Sequence, residues 1–501
     1  MKTMNTTKLI FAAAIGIGLT VSSCTPNPPR PGKDAHDGKA KHVAVITPPS
    51  EVPLIDTMAF EKDMRLADSM VRVEAWETDD ERFAKDALRQ PVAGGKATIY
   101  LQRGFLDETL SEMIRLHPFG GEGQERRVFS VTDSTHRRLE FKMTEPMRRG
   151  DGRKVTALDF VELWSHLLKT RPAYGLALFR HVQGAEEYVK GKEPLVGGFN
   201  AADEHTVRIR FAKPDPVAFA RLNTPALIGG PFMLGAYYAS DRREADVKLL
   251  PNANSLSDTA YLAECAVQLG GDPNALMSFS LGQYSAMTLY AAADLKIARV
   301  ELAGKASLRK LPSDRYFLAC RMNDEHARRF VRGAADGADL LNAAGAEGEV
   351  IFSVCARVEA AEQPRGNAAV PQLSKPLRVI FRSDDPVSVK VAEKLTADLN
   401  SAGLASEAVG GSAETYEKAL FSGAYECAVG WAAETALDNF TEQLHIASMW
   451  FAGETDSKAR LREHREIPLF SVDNYLLLRE DVRLYKDRLT GMWVDDVGGK
   501  R

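Results

Sequence analysis

Cysteine is the residue type whose placement in this sequence points most clearly to chemistry. Cys24 lies between an apolar run (residues 9–21) and the proline-rich stretch "TPNPPRPG", so no core can form around its thiol. Lys2 and Lys8 precede the run, which is shorter than the roughly 20 apolar residues of a membrane helix. A basic start, a short apolar run and small residues before a cut are typical of a signal peptide. We therefore predict a signal peptide that ends near Cys24.

The four residues 21–24, Val-Ser-Ser-Cys, resemble the bacterial lipobox. That resemblance implies a diacylglyceryl group on the Cys24 sulfur, removal of residues 1–23 and acylation of the new amine. Stable anchoring requires more than one acyl chain. The alternative is an ordinary secretory signal with an incidental cysteine. Residues 24–42 would then be the lipidated cysteine and a Pro/Gly-rich tether, which spans roughly 50 Å if extended.

The composition limits the class of protein. About 460 of the 501 residues follow the tether, which suggests two or three lobes. A hydrophobic content of 45% with 26% charged residues is typical of globular proteins, and a net charge of −4 gives no sign of nucleic-acid binding. Cys265, Cys320, Cys355 and Cys427 allow three disulfide connectivities, among which their spacing does not choose. Cys427 lies in an apolar strand pattern, which favours a buried free thiol.

The sequence contains no recognisable catalytic motif. It lacks GxxxxGK[ST], HExxH, GxSxG and CxxC, and its ten histidines have no metal-ligand spacing. We interpret the glycines of "HPFGGEG" (117–123) as a turn rather than an anion-binding loop, because no strand and helix frame them. We therefore predict no catalytic residues, no metal and no cofactor.

The middle of the chain has the clearest element patterns. Leu139, Phe141 and Met143 alternate with polar residues, which predicts a half-buried strand. Thr156 and Asp159 then form a helix-start pattern of the capping-box type. The helix that follows has one apolar face, and a second alternating strand covers Val207, Ile209 and Phe211.

These elements carry a family resemblance. The segment "DGRKVTALDF" (151–160) followed by "AADEHTVRI" (201–209) resembles the oligopeptide-binding branch of the family 5 bacterial solute-binding proteins. The matching residues are Asp151, Gly152, Val155, Thr156, Ala157, Asp159 and Phe160, then Ala202, Asp203, Thr206, Val207 and Ile209. "RRFVRGAADGADLL" (328–341) resembles a helix of that family, in which we expect Arg328 and Asp336 to form a structural pair.

The second half of the chain supports the same resemblance. Residues 375–431 have the pattern β-α-β-α-β, with Asp385 as a helix N-cap, Pro386 at the first helical position and Gly403 as the stop. Short strands alternating with helices predict a parallel sheet. Residues 467–485 resemble the family's closing strand, which returns to the first lobe.

The resemblance implies an α/β fold of two lobes like the type II (Venus flytrap) periplasmic binding proteins. Lobe I would comprise residues 43–245 and 440–501, with an accessory subdomain at about 60–130, and lobe II residues 246–439. The chain departs from the family pattern at 43–130, 237–300 and 343–374, so we expect the accessory subdomain to be reduced.

The candidate site is "GWAAE" (430–434). The family has an aspartate after G-W-x-x that pairs with the ligand's α-ammonium, and here Glu434 takes that place. The alternative is an ordinary solvated glutamate. Trp431 would line the cleft, or else fill the core, and Ala432 and Ala433 would offer only their main chain. A lipidated Cys24 completes the predicted site residues.

The resemblance implies a binding protein and not an enzyme. It would be a monomer, lipid-anchored to a membrane and facing the periplasm or the exterior, that captures peptides and delivers them to the permease and ATPase of an ABC importer. The first alternative is a member of the same fold that no longer transports and acts as a sensor, adhesion or scaffold lipoprotein. The second is an exported enzyme with an unmarked site.

Overall fold

The structure, a computed structural model, describes the chain in separate stretches. They are residues 90–103, 119, 127–149, 151–216, 218–223, 227, 234–242, 246–255, 260–354, 369–433, 449–451, 457–484 and 492–495. Cys24, the tether, the glycines at 120–123, Cys355 and Glu434 lie outside the described residues, as does most of the segment predicted as an accessory subdomain. Within this part of the chain, no helix has both the length and the apolar character needed to cross a bilayer.

The described residues form 17 strands and 11 helices. The strands are β1 (Lys96–Leu101), β2 (Phe129–Thr135), β3 (Arg138–Met143), β4 (Phe199–Ala201), β5 (Thr206–Arg210), β6 (Tyr237–Arg242), β7 (Asp246–Pro251), β8 (Glu264–Leu269), β9 (Ala286–Leu289), β10 (Ala306–Cys320), β11 (Gly348–Val350), β12 (Leu377–Arg382), β13 (Ser406–Gly411), β14 (Cys427–Ala433), β15 (Glu466–Arg479), β16 (Val482–Leu484) and β17 (Met492–Val494). The helices are α1 (Ala157–Thr170), α2 (Pro172–Leu178), α3 (Ala185–Val189), α4 (Ala218–Leu222), α5 (Ala275–Ser280), α6 (Ala292–Glu301), α7 (Glu325–Ala334), α8 (Gly337–Ala344), α9 (Pro386–Ser401), α10 (Ala413–Ser422) and α11 (Ser457–Arg462).

One large sheet joins both halves of the fold. Its strand order is β13-β12-β14-β10-β15-β9-β1-β8-β7-β6. The end formed by β12, β13 and β14, here called lobe II, has parallel β12–β13 and β12–β14 pairs. The other end, here called lobe I, has β1 parallel to both β8 and β9, with β7 and β6 added in antiparallel. From here on the two names refer to the ends of this sheet, and residues 246–289, which the predicted boundaries placed in lobe II, contain β7, β8 and β9 at the lobe I end. The long strands β10 and β15 lie antiparallel in the centre and connect the two lobes.

A second sheet, β2-β3-β5-β4, forms a separate unit with α1 and α2, here called the four-stranded module. Phe141, Phe160, Trp164 and Ile209 are buried in its core, as the strand and helix patterns predicted. The predicted helix start is confirmed, because the Thr156 backbone N–H donates to the Asp159 carboxylate at 2.7 Å. The reason these predictions succeed is that both patterns are local in sequence.

The β-α-β-α-β prediction for lobe II is also confirmed, as β12-α9-β13-α10-β14. Asp385 is the N-cap of α9 and accepts from the Ser388 N–H, with Pro386 at the first helical position. Gly403 follows the helix with a φ of 90°, a conformation that favours glycine.

The predicted Arg328–Asp336 pair is wrong. The segment 328–341 belongs to two helices, and Asp336 is the N-cap of the second, α8, where it accepts from the Ala338 and Asp339 N–H groups. Arg328 donates instead to the carbonyl oxygens of Met322 and Glu463. The two side chains therefore do not pair with each other, because the Arg328 guanidinium is bound by main-chain carbonyl oxygens away from Asp336.

Candidate functional site

Strand β14 carries the described part of the predicted site, Gly430 to Ala433. The strand is paired with β10 along its whole length, from Cys320↔Cys427 to Asp314↔Ala433. On its other side the described pairing with β12 covers Cys427 and Ala428. The main chain of β14 therefore continues past the end of the β12 ladder, at the segment where the sequence predicted ligand contact.

The two faces of β14 have different surroundings. Ala428 and Ala432 belong to an apolar cluster that runs from lobe II into the core of the four-stranded module. Gly430 is closely covered, since a Cβ there would lie 2.6 Å from the Phe317 ring and 3.1 Å from Trp450 Nε1. A residue larger than glycine has no room at this position.

Trp431 lies on the opposite face of β14. It is 6% exposed and packs in the lobe II core among residues of β12, β15 and α9. This position agrees with the alternative in which Trp431 fills the core. Contact between Trp431 and a ligand remains a prediction. Ala432 is buried on the face toward the module. Neither Glu434 nor Cys24 lies in the described residues, so their predicted roles also remain predictions.

The crossing strand β10 pairs with β15 on both sides of an irregularity and gains β14 as a second partner beyond it. Residues 306–311 pair with 474–479 of β15, on the lobe I side, where β15 also pairs with β9. Residues 314–320 pair with β14 of lobe II, and the register with β15 shifts between Leu311 and Asp314. Such bulges bend a strand and increase its local twist. The shift therefore marks the point at which the sheet passes from one lobe to the other.

A buried polar network lies beside this shift. Arg103, just after β1, donates to Asp314 Oδ2 at 2.5 Å and to Asn474 Oδ1 at 3.2 Å. Its guanidinium also lies 5.2 Å from the ring centre of Tyr290 and 6.0 Å from that of Tyr316. The network thus links lobe I to both crossing strands.

Tyr316 extends the network into lobe II. Its hydroxyl donates to Asp385 Oδ2 at 3.0 Å, on the carboxylate that caps α9. Burial, together with the Asp385 charge, raises the pKa of Tyr316 well above its ordinary value. Burial alone would lower the pKa of Arg103, but Tyr316, Asp314 and Asp385 raise it instead. Arg103 therefore stays cationic and Tyr316 stays neutral, and neither can act as a proton carrier near neutral pH.

Sequence reasoning missed the residues of this polar network. Arg103 and Asp314 are 211 positions apart, and neither belongs to a motif. Arg103 follows β1 whereas Asp314 lies inside β10, so the two residues share no sequence signal that would have paired them. In the part of the chain described, no group of three or more His, Cys, Asp or Glu side chains could hold a metal ion.

The chain is similar in sequence to a known binding protein. It is 27% identical over 133 residues to the periplasmic oligopeptide-binding protein OppA of Salmonella typhimurium. The match covers 25% of this chain and 23% of OppA, so the chain spans less than a quarter of the length of that curated relative. No family model matches the sequence.

Solved structures share its fold over most of the chain. The Escherichia coli murein tripeptide binding protein MppA has a TM-score of 0.56 at 15% identity and covers 80% of this chain and 99% of its own. Haemophilus influenzae OppA in complex with RPPGFSPFR has a TM-score of 0.55 at 14% identity, with coverages of 81% and 100%. Lactococcal OppA, closed on an endogenous peptide, has a TM-score of 0.57 at 12% identity, with coverages of 80% and 100%.

The structural similarity confirms the predicted α/β fold of two lobes like the periplasmic binding proteins. The segment matched to OppA adds a similarity in sequence, and the two similarities together support the predicted resemblance to the oligopeptide-binding branch of the family 5 bacterial solute-binding proteins.

Proposed function

We propose that this chain is an extracytoplasmic binding protein that captures peptides between its two lobes and delivers them to an ABC importer. Its relatives include proteins whose names specify binding of oligopeptides and of a murein tripeptide, and a Listeria monocytogenes substrate-binding protein of an ABC transporter. We further propose that Cys24 is lipidated and holds the protein at a membrane through the tether. The lipobox-like residues 21–24 support this anchor.

The observation that carries the proposal is the position of β14. It is flanked by a crossing strand on one side and continues past the β12 ladder on the other. The Val429 carbonyl just past that ladder accepts from the Tyr416 hydroxyl. An extended peptide can add to the residues of β14 that follow through main-chain hydrogen bonds. Since those bonds do not depend on side chains, binding of this kind tolerates many peptide sequences. The β10 irregularity beside it is where lobe movement would be absorbed.

Glu434 follows this strand directly and is the proposed partner of the peptide's α-ammonium. A charge-assisted bond contributes about 1.5–3 kcal/mol where water is excluded, but an exposed ion pair contributes only about 0–1 kcal/mol. The proposed role therefore depends on closure of the lobes over the ligand.

Calorimetric titration and thermal melting with peptides of two to eight residues test the proposal. A peptide at 100 times its Kd stabilises by about 2.7 kcal/mol, which would raise Tm by about 3 °C in a chain of this length. If the peptides produce no heat of binding and no Tm shift, the result argues against peptide capture and favours a member of the fold that does not transport.

Glu434→Gln should weaken binding of peptides with a free amine about tenfold or more and leave N-acetylated peptides nearly unchanged, since ~1.4 kcal/mol is tenfold in Kd. Glu407→Gln, at an exposed glutamate of the same lobe, is the matched control and should change neither. An equal loss for both peptide types would show that Glu434 does not bind the ammonium group.

A further inference from the structure

We propose that Cys320 and Cys427 form a disulfide bond that fastens β14 to the crossing strand β10. The inference rests on the export of the chain, which belongs to the proposed function, because disulfides persist in oxidising compartments. In the structure Cys320 and Cys427 are free and buried, as the sequence pattern predicted for Cys427. The proposal concerns their oxidised form and selects one pairing from those that the sequence left open.

The strand register places the two cysteines directly opposite each other. They are a matched pair of the antiparallel β10–β14 ladder, and their sulfur atoms lie 3.1 Å apart. The Arg321 N–H donates to the Glu426 carbonyl across the same ladder, while the Cys320 N–H donates away from it, to Arg465 of the β15 side. Cys320 and Cys427 therefore form a non-hydrogen-bonded pair.

Such a pair has the geometry that a disulfide needs. Opposite residues at non-hydrogen-bonded positions have Cα atoms about 4.5 Å apart and side chains on the same face. Disulfides occur at Cα separations of about 4.4–6.8 Å. Closing the bond therefore requires side-chain rotation and no strand movement.

Burial decides when the bond must form. Cys320 is 2% exposed and Cys427 is fully buried, so an external oxidant cannot reach them in the folded lobe. The contact with Cys320, with burial, also raises the pKa of the Cys427 thiol well above its ordinary range, so little thiolate is present. Oxidation must take place as the strands pair and before α7 and α9, which pack on the same face of the sheet, cover the two thiols.

The oxidant is a disulfide donor of the cell envelope, and the reaction is thiol–disulfide exchange. One thiolate attacks the donor, and a mixed disulfide forms as the first donor thiol leaves. The second cysteine then attacks the mixed disulfide, so one protein S–S bond forms. The donor is reduced to two thiols, which take up both protons.

The proposed disulfide would restrain the strand that carries the candidate site. β14 continues past the β12 ladder at the segment proposed to pair with peptides. A covalent link at Cys427, the first residue of β14, would hold that strand in register with β10 while the lobes move.

Refolding the full chain tests the pairing without requiring export in the test organism. The chain is unfolded in guanidinium with dithiothreitol, refolded in a glutathione redox buffer, blocked with iodoacetamide and digested with trypsin without reduction. We expect a cross-linked species that joins peptide 316–321 to peptide 419–458, each of which contains a single cysteine. Alkylated Cys320 and Cys427, or a link from either to Cys265 or Cys355, would overturn the proposal.

A stability measurement supports the same test. The chain refolded with glutathione should melt roughly 5 °C higher than the chain refolded with dithiothreitol, because the link closes a loop of 107 residues in the unfolded state. Cys427→Ala should abolish this difference. Cys265→Ala, which removes another fully buried cysteine, should retain it. Peptide titration of the same samples separates the two proposals, because the cross-link can form in a chain that binds no peptide, and peptides can bind a chain that lacks it.

Discussion

Removing the negative charge of Glu417 should loosen the contact between lobe II and the four-stranded module. Glu417 lies on α10, and Arg171 joins α1 to α2. The Arg171 Nε donates to Glu417 Oε1 at 2.7 Å, and a second guanidinium nitrogen contacts the same oxygen. The two side chains are 4% and 2% exposed, so water cannot replace either partner while the contact is intact.

The size of the effect follows from this burial. Removing one partner of a buried ion pair costs about 3–5 kcal/mol, because the other charge stays desolvated. Replacing both by apolar residues of similar volume is often neutral or stabilising. Glu417→Gln and Arg171→Met should therefore each destabilise by about 3 kcal/mol or more, whereas Arg171→Met with Glu417→Leu should lose far less than their sum.

The assay is a double-mutant cycle in urea, read out by fluorescence. Glu414→Gln is the matched control, because Glu414 pairs with Lys418 on the exposed side of the same helix. Such a pair is worth about 0.3–0.5 kcal/mol. If Glu417→Gln costs no more than this control, or if the two single changes add in the double variant, the contact is not a coupled buried pair and the reasoning is refuted.

The same variants test whether the ion pair holds lobe II against the four-stranded module. If Glu417→Gln separates lobe II from the module instead of unfolding either, small-angle scattering should show a larger radius of gyration than for the wild type. Apparent peptide affinity would then fall, because the closed state is less populated. An unchanged radius with lower stability would place the effect in folding and not in closure.

Three further changes have specific expected outcomes. Asp159→Ala should cost about 1 kcal/mol in urea unfolding, because it removes the acceptor of the Thr156 N–H at the start of α1; no change would refute the capping box. Tyr416→Phe should cost about 1–3 kcal/mol, because its hydroxyl donates to the buried Val429 carbonyl at 2.7 Å; a neutral result would mean that water replaces the bond. His464→Asn should flatten the loss of stability on acidification, measured as Tm between pH 7 and 5. Burial and nearby arginines lower the pKa of His464 below 6.5, so below that pH the unfolded chain binds more protons than the folded one. An unchanged pH dependence would exclude this histidine as its source.

Predictions from local patterns succeeded, and those that needed long-range contacts were not available from one sequence. The Thr156–Asp159 cap and the Asp385 N-cap involve residues three positions apart or fewer, so spacing alone predicts them. The alternation in β14 predicts two faces, but it does not reveal that Trp431 faces the helices of its own lobe. That choice depends on which elements pack on each side of the sheet.

The polar contacts between lobe II and the four-stranded module could not be predicted from the sequence either. Arg171 and Glu417 are 246 positions apart, and each is an unremarkable charge on a helical pattern. A buried charge pair has no signature in a single sequence, because surface helices have the same residue types. The register of Cys320 opposite Cys427 likewise appears only once β10 and β14 are known to be neighbours.

Helix α10 contacts both β14 and the four-stranded module. Tyr416 holds β14 through the Val429 carbonyl and accepts from Trp450 Nε1 at 3.1 Å, while the next residue, Glu417, binds Arg171 of the module. Because both contacts are buried on the same turn, α10 cannot shift away from the module without also straining its bond to β14. A peptide that adds to β14 and stabilises that strand would therefore favour the position of α10 in which Glu417 meets Arg171. Under the proposed function, ligand binding and the ion pair would therefore stabilise the same arrangement.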